Sequence, residues 1–180
     1  MKKVKRNYRI CAVYDTETCN IGKGNLTRAY PILFIDNDIR NVDLSEYETV
    51  RDDKVRFYRS EDEYLSRLEE YIEWGLFFKV VPVICAYNLM FDLQPLMEKM
   101  NRDYDISANA QSSTNVYTLD LIDRETDRTV LRFWDTFHLE MRGLKAMGET
   151  CGLPKATGDW DYSLVRTPQT PLTDTELYYA

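Results

Sequence analysis

The chain has 180 residues, 23 Lys and Arg against 30 Asp and Glu, a formal charge of −7 and a pI near 4.8. That length suits one compact domain, and an aromatic content of 13% excludes a disordered, solvated chain. No apolar run approaches the roughly 18 residues of a membrane span: the longest, 75–87, is broken by Lys79 and Pro82. The basic start is followed too soon by Asp15 to be a signal peptide, so a cytoplasmic protein is expected. Four scattered cysteines (Cys11, Cys19, Cys85, Cys151) with no C-x-x-C pair and one histidine, His138, speak against a structural zinc site or a disulfide framework. They read as reduced, mostly buried thiols.

In chain order, 8–14 (YRICAVY) reads as a buried strand, and 28–35 and 54–58 as further strands, with Pro31 marking an edge or a bulge. Between Asp36 and Glu73 there are 13 acidic and 6 basic residues, which leaves the rest of the chain balanced. This segment reads as a solvated face, with protein contact as the alternative. Excess acid is a poor footing for nucleic-acid binding, but its confinement to one segment leaves a neutral-to-basic face elsewhere. Ser60 and Glu63 form a capping box, and Tyr64, Leu65, Leu68, Tyr71, Ile72 and Leu76 line one helical stripe. An apolar, β-branched strand is expected at 80–87, then a short helix around 92–100. An antiparallel pair at 114–122 and 129–135, a helix over 140–151 closed by Gly152, and a helix capped by Thr173 and Glu176 follow. Strands interleaved with helices predict an α/β fold with a mixed sheet covered on both faces.

Asp15 and Glu17 lie where the first strand is expected to end. Carboxylates at i and i+2 on a strand point to one side, about 7 Å apart at the backbone, a spacing that can hold a metal. D-x-E also occurs at Asp123/Glu125, in a turn, and at Asp174/Glu176, in a helix cap; neither follows a buried strand. The stretch Asn88-Leu89-Met90-Phe91-Asp92 follows the second apolar strand and opens a helix, bringing a third carboxylate from another strand end. Three converging carboxylates make an oxygen-rich site suited to Mg²⁺ or Mn²⁺.

D-x-E, then N-x-x-F-D, then a tyrosine on a late helix resembles the 3′→5′ proofreading exonuclease of family-B DNA polymerases. The likeness is greatest to the protein-primed enzymes of phages and linear plasmids, and it covers nearly the whole chain. It implies an RNase H-like fold, a mixed β-sheet flanked by α-helices. It also implies a single exonuclease domain over 1–180 at the N-terminus of a larger polymerase, in the host cytoplasm if phage-encoded. By the resemblance, Asp15, Glu17 and Asp92 are ligands of two catalytic Mg²⁺ or Mn²⁺ ions, and Tyr179 positions the attacking water. Thr18, Asn88 and Phe91 match positions that hold the 3′ end of single-stranded DNA. Thr136 and Phe137, within Trp134-Asp135-Thr136-Phe137, match a further strand-contacting element. In Asp159-Trp160-Asp161-Tyr162, Tyr162 matches a residue packed on the terminal nucleotide. The implied partners are the single-stranded 3′ end, a terminal priming protein and the parent's polymerase domain, with no membrane and a monomeric state.

Two departures qualify the match. The family carries an Asp four residues after its tyrosine, which is position 183 here, and the chain ends at Ala180. A two-metal site incomplete in this form, with weak metal binding and reduced activity, is the expectation. The family's lysine before D-x-D-Y falls on Thr157 when counted without gaps; Lys155 takes the role if the loop before Gly158 is rearranged. A related variant using His with an Asp five residues later is excluded, because Gly143 stands five residues after His138. The rival readings are a free-standing nuclease acting on RNA and a catalytically silent module that binds single strands or the priming protein.

Overall fold

The computed structural model describes residues 7–21, 28–41, 54–113, 115–140, 142–150, 152, 164, 166, 167 and 169–179, a few of them, Tyr179 included, by backbone alone. Lys155 and Tyr162 lie outside the described residues. Among the described residues seven strands form one mixed sheet: β1 (Tyr8–Ile21), β2 (Arg28–Asp38), β3 (Val55–Tyr58), β4 (Val81–Ala86), β5 (Tyr104–Ala110), β6 (Val116–Asp123) and β7 (Arg128–Asp135). Their order is β3-β2-β1-β4-β7-β6-β5, with β1, β4 and β7 parallel and the other neighbours antiparallel. The helices are α1 (Glu61–Phe78), α2 (Leu89–Leu93), α3 (Met97–Asp103), α4 (Phe137–Glu140), α5 (Leu144–Thr150) and α6 (Asp174–Tyr179), with a 3-10 turn at Gln94–Leu96. No helix among the described residues is long and apolar enough to cross a membrane.

All six residues of β4 are buried, as a central parallel strand covered on both faces requires. Tyr14, Phe34 and Tyr64 stack in the core between β1, β2 and α1, with Tyr14 and Tyr64 ring centroids 4.6 Å apart. α1 begins at the capping residues read from the sequence: the Glu63 N–H donates to Ser60 Oγ at 3.2 Å, while Glu63 Oε2 accepts the N–H of Arg59, one residue before the cap, at 2.8 Å. Where α1 passes β4, Gly75 is required by space, since a Cβ there would stand 2.6 Å from Pro82 Cδ.

Several sequence expectations are corrected. The first strand does not end at Tyr14; β1 runs on to Ile21, because β2 pairs with it as far as Ile21↔Arg28. Pro31 does mark a bulge, with the register shifting between Glu17 and Thr18 opposite it. β5, exposed along most of its length and rich in polar residues, carries no clear strand pattern and lies outside the strands read from the sequence. The helix expected around 92–100 begins at Leu89 and divides into α2, the 3-10 turn at Pro95 and α3. The helix expected over 140–151 is α5, which starts only at Leu144, after a short α4 that the sequence reading did not include, and Gly152 beyond it takes φ +72°. The acidic segment is not solvated throughout. Asp36 is fully buried and paired with Arg67 (3.0 Å), whose guanidinium also meets Asp38 at 2.6 Å and the Tyr71 hydroxyl at 2.9 Å. Cys11 and Cys85 are free buried thiols, as read from the sequence.

Candidate active site

Parallel pairing of β1 with β4 ends at Tyr14↔Ala86, yet β1 continues for seven residues beside β2. The carboxylate pair therefore sits on an overhang: mid-strand with respect to β2, but past the last rung with respect to β4. A bulge at Cys11 in the β1–β4 register sets which residues of the overhang face inward. Beyond it Tyr14 and Thr16 are buried, while Asp15 is exposed and Glu17 partly so, and by strand alternation these two share the opposite side.

Asp92 reaches the overhang from α2. After β4, Asn88 adopts a left-handed conformation (φ 60°, ψ 52°), which Asn tolerates better than most residues, and turns the chain into α2. Asp92 is 3% exposed and its Oδ1 accepts the Thr16 hydroxyl at 2.6 Å, while its backbone carbonyl accepts the Tyr14 hydroxyl at 3.0 Å. Burial pushes the Asp92 carboxyl up to about 7, and the negative charges of Asp15 and Glu17 push in the same direction against the Thr16 bonds. Asp92 thus feels the charge of both overhang carboxylates, whose side chains share the side of β1 opposite Thr16. Among the described residues, however, no three acidic, histidine or cysteine groups already stand together as a metal-holding cluster. Asp92 is engaged by Thr16, and Asp15 Oδ1 by the Thr16 N–H at 2.9 Å.

The third strand end is held by Asp135, the last residue of β7, opposite Ala86 of β4. Its carboxylate, 5% exposed, accepts three backbone N–H groups: Asn88 (3.1 Å) and Phe137 (2.9 Å) on Oδ1, and Leu89 (3.2 Å) on Oδ2. Next to it, Thr136 donates both its N–H (2.9 Å) and its hydroxyl (3.0 Å) to the Ala86 carbonyl. Phe137 is half-buried, edge-on to Tyr87 at 5.6 Å and to His138 at 5.5 Å, and His138 is edge-on to Tyr117 at 4.3 Å. Phe91, by contrast, is 50% exposed at the surface of α2.

The structure therefore brings Asn88, Phe91, Asp92, Thr136 and Phe137, which follow the ends of β4 and β7, beside the β1 overhang that carries Asp15 and Glu17. Thr18 follows on β1, half-buried, just past the bulge at Pro31. Tyr179 ends α6, whose capping box closes as expected, with Glu176 N–H to Thr173 Oγ1 at 3.2 Å and Thr173 N–H to Glu176 Oε2 at 2.9 Å. Two residues were missed in the sequence. Thr16 stands between the two carboxylates as a buried polar residue at an inward position. Asp135 lies two residues before a helix start, the spacing at which an Asp side chain accepts a backbone N–H, and that spacing was a usable signal.

No family model matches the chain, and no curated protein does. Solved structures do. A structure of Phi29 DNA polymerase in an orthorhombic crystal form superposes with a TM-score of 0.67 at 17% identity over 97% of this chain. Phi29 DNA polymerase in a ternary complex with primer-template DNA and incoming nucleotides gives 0.66 at 16% over 98%, and in complex with single-stranded DNA 0.62 at 16% over 94%. In each case the chain spans 28% of the length of the polymerase. The fold is thus α/β and RNase H-like, a mixed sheet flanked by helices as in that part of the polymerase.

Proposed function

We propose that this chain is a 3′→5′ exonuclease module of a DNA polymerase, hydrolysing the 3′-terminal phosphodiester of single-stranded DNA. The observation that carries the reading is the meeting of Asp92, on the turn after β4, with the overhang of β1 that bears Asp15 and Glu17. A buried carboxyl whose proton affinity is raised by burial and by two neighbouring carboxylates marks an anionic, oxygen-rich place, and a divalent cation is the charge that relieves it. Asp15, Glu17 and Asp92 would hold Mg²⁺ or Mn²⁺, which when bound supplies Lewis acidity to the phosphodiester and lowers the pKa of water. Thr16 keeps the Asp92 carboxylate aimed at the overhang. The exposed ring of Phe91 offers a sequence-tolerant stacking surface for a base, with Phe137 as the second. Thr18 and Asn88, at the rim, are assigned to the sugar–phosphate backbone of the 3′ end, and Thr136 to the same wall as Phe137. Tyr179 is assigned to hydrogen-bonding the water; Tyr162 and Lys155 are assigned to the terminal nucleotide. The polymerase domain of a longer parent chain and a terminal priming protein are the proposed macromolecular partners.

One observation favours a second reading, a catalytically silent module that binds single strands: one oxygen of Asp92 is already engaged by the Thr16 hydroxyl. Degradation of 3′-labelled single-stranded DNA in Mn²⁺ decides between them. The chain is compared with its Asp15→Ala variant. Cleavage that disappears with Asp15→Ala supports the nuclease. Strand binding retained in Asp15→Ala, with no cleavage from any form, supports the silent module.

A further inference from the structure

We infer that Asp135 is a positioning residue that sets the distance between the two rings assigned to the single strand, Phe91 and Phe137; this rests on the strand-binding reading above. One carboxylate joins the two walls. Its Oδ1 is shared by the N–H groups of Asn88 and Phe137, and its Oδ2 takes that of Leu89. On one side the tie reaches the backbone of Phe137 itself. On the other it reaches the first residues of α2, and the Phe91 N–H is bonded in turn to the Asn88 carbonyl at 3.0 Å. Asn88 makes no side-chain cap for α2, so Asp135 supplies from β7 what the helix does not supply for itself. Thr136 fastens the same junction to the last carbonyl of β4.

The chemistry asks for a carboxylate here. Three converging N–H donors need three acceptor sites at one place, which a buried carboxylate provides on two oxygens. An amide has one oxygen and presents an NH₂ group to the remaining donor. Asp135→Asn therefore loosens one wall against the other while leaving each ring in place on its own element. A single base needs one ring, whereas consecutive bases of a strand need both rings at a fixed separation.

The test uses the full chain without divalent ions, so that nothing is cleaved, with a short oligothymidylate and thymidine 5′-monophosphate as probes. For Asp135→Asn, the expected result is an oligothymidylate affinity weakened about tenfold, the worth of one stacked base, with the mononucleotide affinity unchanged. The backbone amide resonances of Asn88, Leu89 and Phe137 move while those of β1 stay. An unchanged oligothymidylate affinity despite moved amides overturns the inference. So does an equal loss for both probes, which marks a merely structural residue. A parent chain that binds no oligothymidylate overturns the strand-binding reading and the inference with it, an outcome distinct from the other two. Should the β1 amides show Asp135→Asn to be unfolded, Asp135→Glu keeps the charge, displaces the oxygens by a methylene, and is read by the same pair of affinities.

Discussion

A carboxyl group pushed up to about 7 holds its proton more tightly in the folded chain than in the unfolded one, where 3.8 is the reference value. Asp92 therefore favours the folded state in acid, and that contribution is lost as pH rises from about 4 through about 7. Asp92→Asn removes the ionisation. In metal-free buffer it should leave the chain more stable than its parent near pH 8, by up to about 4 kcal/mol, with the two converging near pH 4. Urea unfolding across that range reads the difference, and equal stability near pH 8 sinks the account. The same substitution should abolish cleavage, so stability and activity move in opposite directions, as they do where a group is kept for function. At this scale D-x-E and N-x-x-F-D were legible because metal ligands need particular residue types at particular strand ends. Thr16 and Asp135 were not picked out, because they contribute hydrogen-bond acceptors and donors whose partners are set by the fold. Thr16 meets Asp92 across 76 positions, and Asp135, whose bond to Phe137 is local, reaches Asn88 across 47.

Between elements, the junction of β2 with α1 depends on an ion pair that the charge count concealed. Asp36 carries one oxygen with no hydrogen-bond partner, and Arg67 with the Tyr71 hydroxyl satisfies the other. Arg67→Met leaves a buried carboxylate without its cation and should cost about 3–5 kcal/mol; Asp36→Leu added to it should recover most of that loss. Thermal unfolding of the single and double variants checks this, and a double variant no better than Arg67→Met refutes it. The sequence showed 13 acidic residues over this span and suggested a wet face, but counting charge along a chain cannot tell which members turn inward. Both capping boxes, by contrast, were readable, because their partners are three or four residues apart. The length of β1 was not, since its last seven residues are held by β2, whose own extent was read three residues short.

For the molecule as a whole, the strand runs and their alternation with helices were enough for the fold class, while sheet order and the polar edge strand β5 had to come from the structure. A net charge of −7 makes it unlike proteins that hold nucleic acid by phosphate neutralisation. If bases are held mainly by rings, affinity for a single strand should fall only shallowly with salt, with a log–log slope of magnitude below about 2. Fluorescence anisotropy over a salt series measures it, and a steep slope would point to a basic track instead of stacking. The left-handed turn at Asn88 has a bearing on how relatives of this chain diverge. Asn, Asp and Gly accept that backbone at low cost, so drift at position 88 is narrowed by conformation before any ligand acts on it. Gly satisfies the turn better than Asn does. A lineage that holds Asn there against Gly is keeping the amide group, and in that choice selection for contact separates from selection for shape.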